Sequence, residues 1–202
     1  MSKANASTGT SPLSNPLVKA TLIVVGTTGF EAAGLILWLE LDARSMSGLG
    51  LIILFIGLVL ERLVVTGLPR KVDDWLTILG SSWWEYAAWA LWFTLIDKGL
   101  DPIGVFALVL LPGLHFQHAF LVSVKIDKTF SELVRHGGFI IFSLIEAIGG
   151  GLWLAAFTST TPPNIQVHLI IIIAITIEHI VQGVVLNAIN KEGTLKQMSL
   201  VN

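Results

Sequence analysis

Five of the eight glutamates in this chain lie within long apolar stretches. An unpaired carboxylate in such a stretch costs several kcal/mol, so these residues are rare in membrane helices and usually functional. They can bind or pass on protons and cations, or they can hold helices together as hydrogen-bonding groups. These positions are where the sequence most strongly indicates chemistry: Glu31, Glu61, Glu85, Glu146 and Glu178.

Two histidines stand close to the same glutamates. His118 and His179 occupy matching places in two apolar segments, and His115 is placed to share a helix face with His118. A histidine within a membrane is most often a hydrogen-bonded packing residue. Beside carboxylates, however, it can also relay protons or bind a metal ion.

The elements that carry these residues are predicted to be membrane-spanning helices. The chain has 202 residues, 53% of them hydrophobic and 13% charged, and its mean hydropathy is +0.79. Such values predict an all-α polytopic membrane protein. About 20 apolar residues span a bilayer core. Six segments reach that length and form one predicted transmembrane domain, 17–187: they are 17–41, 48–68, 75–96, 103–124, 137–157 and 167–187.

Basic residues predict the orientation of these spans. Nine of the twelve lysines and arginines fall in the N-terminal segment, the second and fourth connectors and the C-terminal segment. By the positive-inside rule, both termini are expected to be cytoplasmic. Residues 1–16 are expected to form a flexible polar tail, and residues 188–202 a second cytoplasmic tail.

Composition also excludes several classes of site and partner. The absence of cysteine excludes disulfides, thiolate zinc sites, iron–sulfur clusters and covalently attached haem. No basic cluster is large enough to indicate a nucleic-acid partner. The expected partners are the lipid bilayer and a proton or small cation. Whether the chain acts alone, as a homo-oligomer or as a subunit of a membrane complex stays open.

The odd-numbered spans share a sequence phrase. In each, a glutamate is followed by leucine and tryptophan at the sixth and seventh positions after it. Such self-similarity indicates an internal repeat. The three copies begin and end at Glu31 and Trp38, at Glu85 and Trp92, and at Glu146 and Trp153.

The even-numbered spans share a second, looser phrase. A small residue precedes an acid or amide by four positions, and a basic side chain follows directly: the pairs are Glu61-Arg62, Gln117-His118 and Glu178-His179. The chain is therefore predicted to contain three two-helix hairpins, at about 17–68, 75–124 and 137–187. Arg62 is expected to pair with Glu31 or Glu61, because pairing neutralises a buried acid.

The repeats predict one shared polar layer. At about 1.5 Å rise per residue, the five glutamates and Gln117 all lie at similar depths, between the midplane and the cytoplasmic face. Trp38, Trp92 and Trp153 lie two turns further out, where they could form an outer aromatic belt. Alternatively, they could line the site as an aromatic wall that attracts an organic cation.

The favoured hypothesis is a transporter or channel. It would pass a proton, metal cation or small organic cation through the acidic layer, with Glu31, Glu85 and Glu146 as the core of the site. His118 and His179 would relay protons or complete the coordination.

The alternative hypothesis is a membrane-embedded redox enzyme, or a cofactor-binding subunit of a membrane complex. The same histidines and glutamates would then hold a transition metal or haem. The spacing argues against a dimetal site, since such bundles use Glu-x-x-His, whereas Glu178 and His179 are neighbours about 100° apart on a helix. A third hypothesis is a structural scaffold, in which the glutamates only connect helices by hydrogen bonds.

Overall fold

The computed structural model describes residues 15–123, 129–159 and 165–199, with side chains described through residue 189. Every regular element in these ranges is a helix. Most of the predicted tail 1–16 lies outside the described residues, as do residues 200–202. In order, the helices are α1 (Pro16–Asp42), α2 (Ser47–Thr66), α3 (Val72–Asp97), α4 (Pro102–Ser123), α5 (Phe130–Val134), α6 (Gly137–Ser159) and α7 (Ile165–Ser199).

Five helices are long and apolar enough to cross a membrane, which makes the all-helical fold compatible with a multi-pass membrane protein. These five are α1, α2, α4, α6 and the Ile165–Ile189 part of α7. The predicted span 75–96 lies within α3, whose 26 residues extend about 39 Å. Helix α3 is not among the five, so the sixth span stays a prediction. Helix α7 continues through Ser199, where a tail was predicted from residue 188.

Polar side chains set several helix starts. Asn15 accepts a hydrogen bond from the Leu17 amide at the start of α1, and Asp101 accepts one from the Gly104 amide at the start of α4. Both satisfy amides that have no partner within the helix. In each case proline follows the cap, at a position where its missing amide hydrogen costs nothing.

Helix α4 contains a π-helical segment, Phe106–Leu110, that was not predicted. Pro112 follows this segment by two residues within α4. Proline has no amide hydrogen to donate, and its ring displaces the carbonyl of residue i−4, here Leu108. The extra residue in the turn accommodates that displacement.

The six long helices pack as a closed ring. Each contacts its neighbours in the order α1, α2, α3, α4, α6, α7, and α7 then contacts α1. Within the described residues, no long helix packs across the ring against a non-neighbour. Side chains that face inward on different helices therefore meet near the ring axis.

Three matched contacts join α1 to α2, α3 to α4 and α6 to α7. Each pairs a small residue three positions after a glutamate with a small residue four positions before the acid or amide of the next helix. A Cβ added at Gly57, Gly113 or Gly149 would come within 2.9 Å, 2.6 Å or 2.1 Å of its partner. Close helix packing therefore depends on small residues at these places. The pairs are Gly34 with Gly57, Ala88 with Gly113, and Gly149 with Ala174.

Three consecutive glycines on α6 allow this packing to be tested. A Cβ at Gly149 or Gly150 would meet Ala174 or Trp89 at 2.1 Å or 2.3 Å, whereas one at Gly151 meets nothing within 4 Å. We expect Gly149→Ala and Gly150→Ala each to lower the free energy of unfolding by about 1–3 kcal/mol. Thermal unfolding in detergent, followed by tryptophan fluorescence, measures the effect.

Gly151→Ala is the matched control. Alanine forms helix better than glycine by about 0.5–1 kcal/mol, so this variant should be as stable as the wild type or slightly more stable. Equal losses in all three variants would show that the contacts at Gly149 and Gly150 do not govern helix packing.

The tryptophans of the repeated phrase do not form an outer belt, so that prediction is wrong. Trp38, Trp92 and Trp153 are only 2%, 4% and 1% exposed. The Trp38 ring packs edge-on against Phe93 with centroids 5.1 Å apart, and the Trp153 indole N–H donates to Nδ1 of His168 at 3.3 Å. The rings face inward because they share a helix face with their glutamates. They form the core of the half of the ring away from the termini.

Candidate functional site

All five predicted glutamates are buried in one cluster, and each is at most 3% exposed. Glu31 is on α1, Glu61 on α2, Glu85 on α3, Glu146 on α6 and Glu178 on α7. Contacts with three basic side chains join them. The group formed by these glutamates with Arg62, His118 and His179 is called the Glu/His cluster below.

Oxygens of the three core glutamates face one another. One oxygen each from Glu31, Glu85 and Glu146 can be chosen so that all three lie within 4.8 Å of one another. Each residue belongs to a different predicted hairpin. The closed ring brings them together because all three project inward from the same depth.

The first histidine group lies between α7 and the α1–α2 pair. His179 Nε2 is 3.5 Å from Glu31 and 3.6 Å from Glu61, and the ligand atoms of these three residues lie within 4.8 Å of one another. The other ring nitrogen, Nδ1, is 3.2 Å from the Thr28 hydroxyl on α1. Thr28 therefore fixes the ring so that Nε2 points at the carboxyl groups.

The second histidine group repeats this arrangement between α4, α6 and α7. His118 Nε2 is 3.7 Å from Glu146 and 3.4 Å from Glu178. Its Nδ1 is 3.1 Å from the Ser143 hydroxyl on α6. His118 thus holds the same relation to α6 that His179 holds to α1.

Arg62 takes the corresponding place between α2 and α3. Its guanidinium is 2.7 Å from Glu61 and also bonds to Glu85. The predicted pairing with Glu61 is therefore present. Pairing with Glu31 was the other prediction, and the structure instead gives Glu85, the first glutamate of the next hairpin.

Sequence reasoning missed the hydroxyl residues of the cluster. Thr28, Ser82 and Ser143 are buried, and each lies three positions before a core glutamate, on the same helix face. Ser143 holds the ring of His118 from the second hairpin, and Thr28 holds the ring of His179 from the third hairpin, its neighbour around the closed ring. A search for a hydroxyl residue three positions before each repeated glutamate would have found all three.

Three other predicted site residues make no recorded contact with the Glu/His cluster. His115 points to the α5 segment, with Nε2 2.8 Å from the Val134 carbonyl. Gln117 is fully buried, and neither amide atom hydrogen-bonds within the described residues. Trp153 takes part in a separate hydrogen-bonded group at the end of the ring away from the termini. Its indole N–H donates to His168, whose other ring nitrogen lies 3.2 Å from Glu40.

The charges of the cluster do not balance without added cations. Fully ionised, five glutamates carry five negative charges, and Arg62 supplies one fixed positive charge. Buried charges are tolerated only when they are paired or neutralised. The four remaining negative charges are balanced by four protons or by two divalent cations. The cluster is therefore chemically suited to hold either.

A cavity lined by both polar and apolar side chains lies at the end of the ring that carries the termini. It has a volume of about 760 Å³ and is lined by the α2–α3 connector and the first turns of α3. Thr66 lines this cavity, and its hydroxyl donates to the Arg62 carbonyl at 2.8 Å. On the other side of the cluster, the three tryptophans lie in the apolar core, and His168 and Glu40 lie beyond Trp153.

Two expectations about metals and haem change with this geometry. Glu178 and His179, although neighbours on α7, both reach the cluster, with His179 Nε2 3.5 Å from Glu178. The argument from spacing against a dimetal site therefore fails. A haem between His118 and His179 does not fit, because the Glu178 carboxyl lies between the two rings and a macrocycle would need that space.

Comparisons with known protein families, curated proteins and solved structures find no match to this chain. The structure itself defines the class, a helical protein compatible with a membrane and containing a buried Glu/His cluster. The cluster's chemistry is therefore the basis for the function.

Proposed function

We propose that this chain is an integral membrane transport protein that binds cations at the Glu/His cluster and passes them across the bilayer. The observation that carries the proposal is the convergence of five buried carboxyl groups, on five helices, in a cluster with one arginine, which pairs with two of them. Such a site attracts cations, and intramembrane carboxylates typically mark ion or proton pathways.

The proposal includes six spans, with α3 as the sixth and both termini in the cytoplasm. Support for α3 comes from its outward face, where Leu76, Trp83, Trp84 and Leu91 are between 50% and 62% exposed. Exposed apolar side chains along the length of a helix are expected where lipid surrounds it. Six spans also place both termini on one side, which agrees with the distribution of basic residues.

The proposal also includes three repeated two-helix hairpins. Two independent sets of matched positions support them: the small-residue contacts within each helix pair, and the hydroxyl and basic residues between successive pairs. Internal repeats with a binding site at their interface are common in transporters. The cluster lies where the three hairpins meet.

The size of the site favours a proton or metal ion over an organic cation. Carboxylate oxygens that lie within 4.8 Å of one another leave room for a proton or a single metal ion. The nearby tryptophans are packed against other aromatic side chains. An aromatic wall for an organic cation is therefore not part of the proposal.

A carrier fits the access geometry better than an open pore. The cavity is lined in part by Thr66, one turn along α2 from Arg62, and the tryptophans lie in the apolar core on the opposite side of the cluster. A cation would enter from the cytoplasmic cavity and exchange for protons on the glutamates. It would leave after the hairpins rearrange to part the apolar layer, as alternating access requires.

The direct test is flux in reconstituted liposomes. The full-length chain is inserted into vesicles loaded with a pH-sensitive dye or a divalent-metal dye, and a cation gradient is applied. We expect saturable flux that empty vesicles lack. Absence of both proton and metal flux in vesicles that contain folded protein would overturn the proposal.

A second candidate, a membrane-embedded metal-dependent redox enzyme, is favoured by one observation. Two histidines face the same carboxyl group, Glu178, from two sides. A protein that purifies with a redox-active metal and visible absorbance, and that carries no flux, would favour the enzyme. A colourless protein that carries flux would favour transport.

A further inference from the structure

We propose that the cluster holds one divalent transition-metal ion between Glu31, Glu61 and His179, a group called the His179 site below. Its residues come from the first and third predicted hairpins, which meet where α7 contacts α1. The inference rests on the proposed function only in treating the cluster as a cation site, and it names the class of cation and its ligands.

The ligand atoms of one ion must be close to one another in every pair, and the His179 site meets this condition. Nε2 of His179 is 3.5 Å from Glu31 and 3.6 Å from Glu61, and ligand atoms of all three residues lie within 4.8 Å of one another. Ligand atoms about 2.1 Å from a tetrahedral ion are about 3.4 Å apart. A usual N–H···O hydrogen bond is shorter, at about 3 Å. The spacing therefore fits ligands of a shared ion better than a directly bonded pair.

The other histidine of the cluster does not form an equivalent site. Nε2 of His118 is 3.4 Å from Glu178 and 3.7 Å from Glu146. Within the described residues, however, no group of mutually close ligand atoms includes His118. In the third equivalent place, the guanidinium of Arg62 supplies a fixed positive charge where the ring of a histidine would lie. The three hairpins therefore supply one metal position and not three.

Two of the three ligands of the His179 site are held in place by other side chains. Metal-binding histidines usually hydrogen-bond through their other ring nitrogen, which fixes the ring and its tautomer. Nδ1 of His179 is 3.2 Å from the Thr28 hydroxyl, one turn before Glu31 on α1. Arg62 holds the Glu61 carboxylate at 2.7 Å, as metal-binding carboxylates are commonly held. The site is therefore organised before an ion binds.

A buried oxygen without a partner points independently to a ligand. Glu31 is 3% exposed, and its Oε1 makes no hydrogen bond within the described residues. Its Oε2 is the atom that lies 3.5 Å from His179. Arg62 pairs with two other acids. Because a buried charge without a partner is costly, a cation that binds Glu31 would remove this cost.

The ligand set indicates the class of metal. One imidazole and two carboxylates suit zinc, manganese and ferrous iron, whereas oxygen ligands alone suit magnesium and calcium. Three protein ligands also leave a coordination position for water. An ion that leaves the site would next meet Glu85 and Glu146, since their ligand oxygens lie within 4.8 Å of a Glu31 oxygen. The site therefore suits an ion that binds and is released.

Equilibrium binding of Co²⁺ to the full-length chain tests the inference. The protein is purified in detergent, freed of any affinity tag, stripped with a chelator and dialysed against Co²⁺. Bound metal is measured by elemental analysis and visible d–d absorbance. We expect one Co²⁺ per wild-type chain and none in His179→Gln. One Co²⁺ should remain in His118→Gln and in the control His115→Gln, whose ring bonds to the Val134 carbonyl. Retention of the ion in His179→Gln would overturn the site.

Competition distinguishes the His179 site from a site made of carboxylates alone. Zn²⁺ should displace the bound Co²⁺, whereas a large excess of Mg²⁺ or Ca²⁺ should not, because imidazole favours transition metals. Displacement by Mg²⁺ or Ca²⁺ would place the ion among carboxylates and reject His179 as its ligand.

Milder variants keep the test valid if His179→Gln misfolds. Thr28→Ala should lower the affinity for Co²⁺ by about 10–100-fold, and Thr28→Ser, which keeps the hydroxyl, should restore it. Ser143→Ala removes the matching hydroxyl beside His118 and should leave the affinity unchanged. Equal losses in Thr28→Ala and Ser143→Ala, or no loss in Thr28→Ala, would contradict the inference.

The outcome separates this inference from the proposed function. Proton flux in liposomes without Co²⁺ binding would reject the metal site and leave transport standing. One bound Co²⁺ at the His179 site without flux of any cation would reject transport and leave the metal site standing.

Discussion

Replacing Glu146 with glutamine is expected to abolish cation flux in liposomes. Glutamine has nearly the same shape but carries no charge and holds no exchangeable acidic proton. Glu146 is 2% exposed, and its carboxyl group faces Glu31, Glu85 and His118. Loss of one charged ligand removes about 3 kcal/mol of cation binding, equal to roughly a 100-fold loss of flux at limiting cation. Glu85→Gln should have a similar effect.

Asp97→Asn provides the matched control. Asp97 is an exposed acid at the end of α3, so its neutralisation should leave flux unchanged. Size-exclusion profiles and helical content would show whether each variant is folded. Wild-type flux in both Glu146→Gln and Glu85→Gln would remove the acidic centre from the mechanism and favour a structural role for these glutamates.

Replacing Arg62 with methionine is expected to be strongly destabilising. Arg62 is 3% exposed and carries the only fixed positive charge in the described cluster. It pairs with Glu61 and Glu85. Methionine preserves much of the apolar volume but leaves two buried carboxyl groups without their partner. Removal of one member of a buried ion pair costs about 3–5 kcal/mol. The midpoint of thermal unfolding in metal-free detergent solution should fall accordingly.

Two further variants define the cause of that loss. Arg44→Met removes the exposed Arg44–Glu40 pair, 3.4 Å long, and should change stability by at most about 0.5 kcal/mol. The double variant Arg62→Met with Glu85→Gln removes one of the uncompensated acids and should recover part of the lost stability. If Arg62→Met is as stable as the wild type, the arginine does not compensate the buried acids.

Much of the fold could be predicted because lipid-facing helices leave a strong sequence pattern. Long apolar segments predicted every long helix, since a bilayer requires about 20 apolar residues per span and internal backbone hydrogen bonds. Helix ends were less predictable. Helix α7 continues past residue 187, because a helix needs no apolar composition to continue once its first turns have formed. The π-helical turn of α4 depends on how Pro112 is accommodated, which no periodicity reveals.

The candidate site was predictable in its acids and histidines but not in its hydroxyls. Glutamate in an apolar segment stands out because it is costly there. Serine and threonine do not, since they satisfy themselves by bonding to their own helix backbone. Thr28 and Ser143 became part of the site only when the helices around them placed a histidine nitrogen within about 3.2 Å.

Sequence alone determined that the five glutamates would be buried and that they would share one level of the bundle, because level follows from position along a helix of fixed rise. Tertiary structure alone decided their partners. Arg62 bonds to Glu85 and not to Glu31, and the tryptophans lie inside the ring and not at its rim. The reason is that a side chain's partners depend on which helices are adjacent and on how each helix is rotated about its axis. Adjacency and rotation are set by contacts between small residues of two different helices, which the pattern within one helix does not reveal.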